Sequence, residues 1–154
     1  QWSEADRLAV AMAMQATNIS ALAQRCVDQL SGGQRQRVWV AMVLAQETPL
    51  LLLDEPTTWL DIAHQIELLD LFRQLNHEHG RTLVAVLHDL NQACRYADHL
   101  AVMHGGKLVA DGTPAEVVSA ELMRRVFEVQ VQVMQEPVAG TPMCLVEKST
   151  RAKA

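Results

Sequence analysis

Apolar and polar positions change period several times along the chain, and each change marks an element. From Ser3 to about Thr17, alanine, leucine and methionine follow a start bearing Glu4 and Asp6, which predicts a helix with acidic residues in its favourable first turn. A second, shorter helix is expected from about Ser20 to Val27, with Leu22, Cys26 and Val27 on its apolar side. Ser31-Gly32-Gly33-Gln34 has the S-x-x-Q spacing of a capping box, so a third helix is expected from about Gly32 to Gln46. Thr48-Pro49 breaks it, and Leu50–Leu53 follows as a uniformly apolar run. A strand without polar alternation is one covered on both faces, as in a parallel sheet between helices. It stops at Asp54-Glu55-Pro56, where proline forbids continuing the ladder. Asp61 to about His79 places Ile62, Ile66, Leu69 and Phe72 on one stripe, with Gly80 as the helix stop.

Thr82–Leu87 reads as a second apolar strand, ending at His88-Asp89, and Asp89 is placed to cap a helix through Tyr96. His99–Met103 and Lys107–Ala110 are two short strands joined by His104-Gly105-Gly106, a hairpin signal. Thr113-Pro114-Ala115-Glu116 is another capping box, with proline at the first helical position, and short helices are expected over 114–119 and 120–127. Val129, Val131 and Val133 alternate with glutamines, which predicts a half-exposed strand. Pro137–Pro142 reads as a turn, Met143–Val146 as its partner strand and Lys148–Ala154 as a loose polar tail. This order predicts an α/β fold with a parallel core sheet flanked by helices. Ligands bind such sheets beyond the carboxyl ends of the strands, where Asp54-Glu55 and His88 both lie.

The composition agrees with a packed domain: 49% of the 154 residues are hydrophobic and 20% are charged. A net charge of −5 argues against a nucleic-acid partner. Arg35 and Arg37 form a local basic pair, read as a solvated helix face. Cys26, Cys94 and Cys144 are odd in number and widely spaced, which fits a reducing compartment, with the thiols acting as small apolar residues. No run approaches the roughly 18 apolar residues that span a bilayer. The N-terminus has no basic-then-apolar leader pattern, so a cytosolic, soluble chain is expected. It begins with Gln1 in the run-up to a helix, which implies processing or a longer parent.

The candidate chemistry is phosphoryl transfer. Asp54, at a rigid strand end, is suited to hold Mg²⁺ directly or through water, as oxygen ligands hold a hard cation. Glu55, projecting differently, is suited to polarise an attacking water as general base. Ser31, Gly32 and Gly33 offer a hydroxyl and backbone N–H groups at a helix N-terminus, a natural anion site. His88 could contact a γ-phosphate or hold the attacking water. Plainer readings stand beside these: glycines for close packing, solvated strand-end carboxylates and a satisfied loop histidine. The remaining histidines share no metal-ligand spacing.

Taken jointly, these pieces resemble the ATP-binding cassette (ABC) ATPases. Leu30-Ser31-Gly32-Gly33-Gln34-Arg35-Gln36-Arg37 resembles the family's signature motif, and Leu50–Leu53 with Asp54-Glu55-Pro56-Thr57 its Walker B strand. Leu60-Asp61 stands where the D-loop does, and His88 matches the switch histidine. The order and spacing agree from about residue 1 to 147. Thr57-Thr58-Trp59-Leu60-Asp61-Ile62-Ala63-His64-Gln65, Val86–Ala93 and Pro137–Pro142 carry a finer resemblance, to the ATPase subunits of ferric-siderophore importers. A D-loop beginning Thr58-Trp59, rather than Ser-Ala, points to the siderophore and cobalamin branch.

The resemblance implies the C-terminal part of a P-loop NTPase fold, incomplete on its N-terminal side. Residues 1–31 would be the end of the helical subdomain, 32–112 a partial ATPase core, and 113–154 C-terminal helices, hairpin and tail. It implies ATP and Mg²⁺ as ligands, with Ser31, Gly32, Gly33 and Gln34 contributed in trans to a second ATPase subunit in a head-to-tail dimer. Asp54 would hold the metal, Glu55 and His88 would be catalytic, and Leu60 and Asp61 would form the D-loop. Transmembrane permease subunits are the further implied partners, with the chain peripheral on the inner face of the cell membrane. A P-loop, G-x-x-x-x-G-K-[ST], does not occur in these 154 residues. The chain is therefore expected to supply a signature half-site and not to hydrolyse ATP alone. Two other readings remain here: a non-catalytic dimerising module, and the ATPase head of a DNA-repair type protein.

Overall fold

A computed structural model describes residues 2–151, in two compact units that meet in sequence between Leu87 and His88. The first unit holds α1 (Glu4–Ala16), α2 (Gly32–Leu44), β1 (Leu50–Leu53), α3 (Ile62–His77) and β2 (Thr82–Ala85). Each of its helices starts on a short oxygen-bearing side chain. Ser3 and Asp6 form a reciprocal capping box at 3.1 and 2.8 Å, and Ser31 and Gln34 form another at 3.2 and 3.1 Å. Asp61 caps α3 through the His64 amide at 2.9 Å. These caps satisfy donors that a helix leaves unpaired in its first turn.

The expected helix from Ser20 to Val27 does not form. Two 3₁₀ turns, Ser20–Leu22 and Val27–Gln29, replace it, and Cys26 and Val27 are exposed. Burial in this segment goes to Ile19 and Leu30 at its two ends instead. Without an apolar face to dock, a stretch this short cannot offset the cost of nucleating a helix.

β1 and β2 run parallel, in register from Leu50 opposite Thr82 to Leu53 opposite Ala85. Leu51 and Leu53 are buried, as are Leu68, Leu69 and Phe72 of α3. The other face differs from the expectation of a strand covered on both sides: Leu50, Leu52, Val84 and Val86 are all about half or more exposed. Among the described residues these two strands are the whole of their sheet, so helices cover one face of it only.

The second unit holds α4 (Leu90–Tyr96), β3 (Leu100–His104), β4 (Lys107–Gly112), α5 (Pro114–Val117), α6 (Ala120–Leu122), a π-helical turn (Met123–Phe127), β5 (Val129–Gln135) and β6 (Pro142–Ser149). Gly105 and Gly106, at φ +55° and +73°, turn the β3–β4 hairpin, the pattern of a two-residue turn that needs left-handed backbone twice. β5 and β6 pair antiparallel from Val129 opposite Ser149 to Gln135 opposite Pro142. The partner strand is longer than the expected 143–146 and takes in Lys148 and Ser149; residues 152–154 of the expected tail lie outside the described residues. Cys94, Val117, Leu122, Met123, Val131 and Cys144 form the centre of this unit's core. Asn91 ties α4 to β6 by bonding both backbone groups of Cys144, donating to its carbonyl at 3.2 Å and accepting from its amide at 2.8 Å.

Candidate functional site

In the first unit, Ser31 stands at the N-cap of α2 in extended conformation, its hydroxyl accepting from the Gln34 amide. Gly32 and Gly33 make up the first turn, so their N–H groups head the helix and its positive dipole end. The chain leading into this turn is braced by Arg35, which donates from Nε to the Leu30 carbonyl at 3.1 Å and from Nη2 to that of Asp28 at 3.3 Å. Arg37 reaches the Asn18 carbonyl at 3.5 Å. The two arginines read as a solvated face in the sequence thus hold backbone, a role that spacing alone does not reveal.

Asp54 is exposed directly after β1, and Glu55 beside it is half-buried. The backbone at Glu55 is left-handed, φ +48°, which re-aims its carboxylate relative to Asp54. Thr58 donates its hydroxyl to Glu55 Oε2 at 3.2 Å, and its amide donates to the Glu55 carbonyl at 3.2 Å. Pro56 is fully buried, anchoring the turn that these bonds close.

The loop then returns to the signature-like turn. A Cβ added at Gly33 would lie 3.3 Å from both the Trp59 carbonyl and Leu60 Cδ2, and one at Gly32 would lie 3.6 Å from Trp59 Cβ. Leu60 is buried, and its carbonyl accepts from Gln65 Nε2 at 3.0 Å. Asp61 accepts from the His64 amide and lies 2.8 Å from the His64 ring Nδ1; these bonds hold its carboxyl below the usual carboxylate range. The structure therefore brings Gly32 and Gly33 of the capped turn against Trp59 and Leu60, in the eight-residue loop 54–61 that also holds Asp54, Glu55 and Asp61. Trp59 is the residue that sequence reasoning passed over as a branch marker. Its φ of +70° has no signature in the residue type, because bulky side chains disfavour that region.

His88 is exposed and opens the second unit. It stands two residues after Val86, whose amide donates to the Leu53 carbonyl at 2.9 Å. Among the described residues, no three histidine, cysteine or acidic side chains cluster to hold a metal.

A sequence model of the ABC transporter family matches residues 2–58, a span holding the capped turn and the Asp54-Glu55 strand end. The ferric enterobactin transport ATP-binding protein of Escherichia coli (strain K12) is 61% identical over 143 residues, 93% of this chain and 53% of that protein. The achromobactin transport ATP-binding protein of Dickeya dadantii (strain 3937) is 54% identical over 145 residues, 94% and 54% of the two lengths. Over nearly its whole length the chain is similar to ABC transporter ATP-binding proteins. Its fold agrees: a solved inward-facing metal-chelate type ABC transporter superposes with a TM-score of 0.83 at 27% identity, over 96% of this chain and 60% of that one. The chain spans about half the length of the curated relatives it matches. No helix among the described residues is long and apolar enough to cross a membrane.

Proposed function

We propose that this chain is part of the ATP-binding and ATP-hydrolysing component of an importer for ferric siderophores. The observation that carries the reading is the packing of the Ser31–Gly33 turn against Trp59-Leu60, at the end of the loop that begins with Asp54 and Glu55. The transport ATP-binding relatives for ferric enterobactin and achromobactin support the substrate class.

In this proposal the Ser31 hydroxyl and the Gly32 and Gly33 amides receive a phosphate of ATP held by the P-loop of a second ATPase subunit. Gln34 keeps the turn in place by accepting from the Ser31 amide. Asp54 is the carboxylate for Mg²⁺, an ion that needs one or two such groups and completes its shell with phosphates and water. The exposed strand-end position of Asp54 fits that requirement, and the ion would neutralise phosphate charge. Glu55, oriented by the Thr58 hydroxyl, takes the proton of the attacking water, and His88 contacts the γ-phosphate. Both act in a site completed by a P-loop, a pattern absent from these 154 residues. Residues 1–31 face permease subunits, 32–112 form part of the ATPase core, and the assembly is peripheral on the cytoplasmic face of the membrane.

The test mixes this chain with a full-length ATPase subunit of the family whose own signature serine has been replaced. The chain alone should give no ATP turnover, and adding it should restore turnover to the partner. Ser31→Ala in this chain should lower the restored kcat/KM about ten-fold or more, the scale of one hydrogen bond to a charged group. Turnover by the chain alone that Glu55→Gln abolishes would refute the half-site reading.

A further inference from the structure

Trp59 has a backbone conformation that its side chain does not repay. Its φ of +70° lies in the left-handed region that bulky residues avoid, yet its indole is 80% exposed, so ring packing does not offset the strain. What the conformation does achieve is local. It sets the Trp59 carbonyl and Leu60 Cδ2 in the space where a side chain at position 33 would go, and Trp59 Cβ beside position 32. The loop is fixed on both sides of this residue. The Leu60 amide donates to the Thr57 carbonyl at 3.3 Å, the Leu60 carbonyl accepts from Gln65, and Asp61 caps α3. The reversal at Trp59 is therefore the element that carries the loop onto the N-terminus of α2.

We propose that Trp59 is a positioning residue for the Ser31–Gly33 turn, acting through its left-handed backbone and not through its indole. The inference rests on the phosphate-binding role proposed above for that turn. It also gives the glycine at 33 a packing reason: the loop, rather than the ligand, occupies the place of its missing side chain.

The two substitutions that separate backbone from ring are Trp59→Gly, which accepts the left-handed region without strain, and Trp59→Val, whose β-branched side chain resists it most. Both are measured in the mixed assembly, with KM for ATP read separately from kcat. A misplaced turn weakens binding of ground state and transition state alike, so Trp59→Val should raise KM about ten-fold with kcat kept. Trp59→Gly should keep the KM of the unsubstituted chain. An unchanged KM in Trp59→Val overturns the proposal, as does a fall in kcat at constant KM, which a smaller folded fraction or a loss confined to the transition state gives. Equal losses in the two variants also overturn it, since the ring would then be the active part. Where Trp59→Val does not fold, Gly33→Ala takes its place, because its methyl meets the same carbonyl. A rise in KM that Trp59→Gly relieves supports the coupling, and an additive effect overturns it. If the unsubstituted chain restores no turnover, the phosphate-binding reading fails and this inference falls with it; a restored rate insensitive to Trp59 sinks this inference alone.

Discussion

Cys94 shows how burial sets the chemistry of a single residue. It is fully buried, and its thiol is pushed up from 9.0 to about 11, first by that burial and then by the charges of Cys144 and Asp89. Burial raises Cys144 as well. A folded-state value above the unfolded one means that the folded chain holds its thiol proton while the unfolded chain releases it. This contribution to stability is therefore intact below about pH 9 and lost as pH rises toward 11. The denaturant midpoint should fall across that interval, and Cys94→Ala should flatten the fall; a midpoint equally steep in the variant would contradict this origin. The sequence reading of the cysteines as small apolar residues holds for Cys94 and Cys144 and not for exposed Cys26. Nothing in the local sequence distinguishes the three, because burial is conferred by what packs from elsewhere in the chain.

At the scale of elements, caps were legible and long-range clamps were not. Ser31 with Gln34 and Thr113 with Glu116 each state a helix start within four residues; the first box closes from both sides, and in the second the Glu116 carboxylate accepts from the Thr113 amide and hydroxyl. The link between α4 and β6 joins Asn91 to Cys144, 53 positions apart, and no local pattern announces it. Asn91→Ala would strip both backbone groups of Cys144 of their side-chain partner in a partly buried place. That should cost about 1–3 kcal/mol, read as a lower denaturation midpoint of the chain. A neutral substitution would show that water replaces the clamp. The failed helix at 20–27 has the converse cause: a plausible stripe of Leu22, Cys26 and Val27 has no apolar surface to meet.

For the molecule as a whole, the most consequential feature is the uncovered face of the parallel pair. Leu52 is 68% exposed and Val84 opposite it 54%. With Leu50 and Val86 they make an apolar strip on a two-stranded sheet, the kind of surface that drives association. The chain by itself should self-associate with rising concentration, followed by sedimentation velocity. Leu52→Thr with Val84→Thr should shift that association to higher concentration without unfolding the chain. A monomer at high concentration before substitution would count against the idea.

Some features needed no tertiary structure. The run Leu50–Leu53, the adjacent Asp54 and Glu55, and the S-x-x-Q turn gave away a strand, its carboxylates and the start of α2: the apolar run marks a buried strand, and the other two depend on covalent spacing and near-neighbour hydrogen bonds. The motif order likewise sufficed to carry the resemblance to the ABC ATPases. Tertiary structure alone decided which face of β1 is covered, that Arg35 and Arg37 brace backbone, and that Trp59 turns left-handed to fill the space beside Gly33. The physical reason is common to all three. Each outcome depends on contacts that no residue pattern states, most of them between segments far apart in sequence, and local preference can be overridden when those contacts favour another conformation.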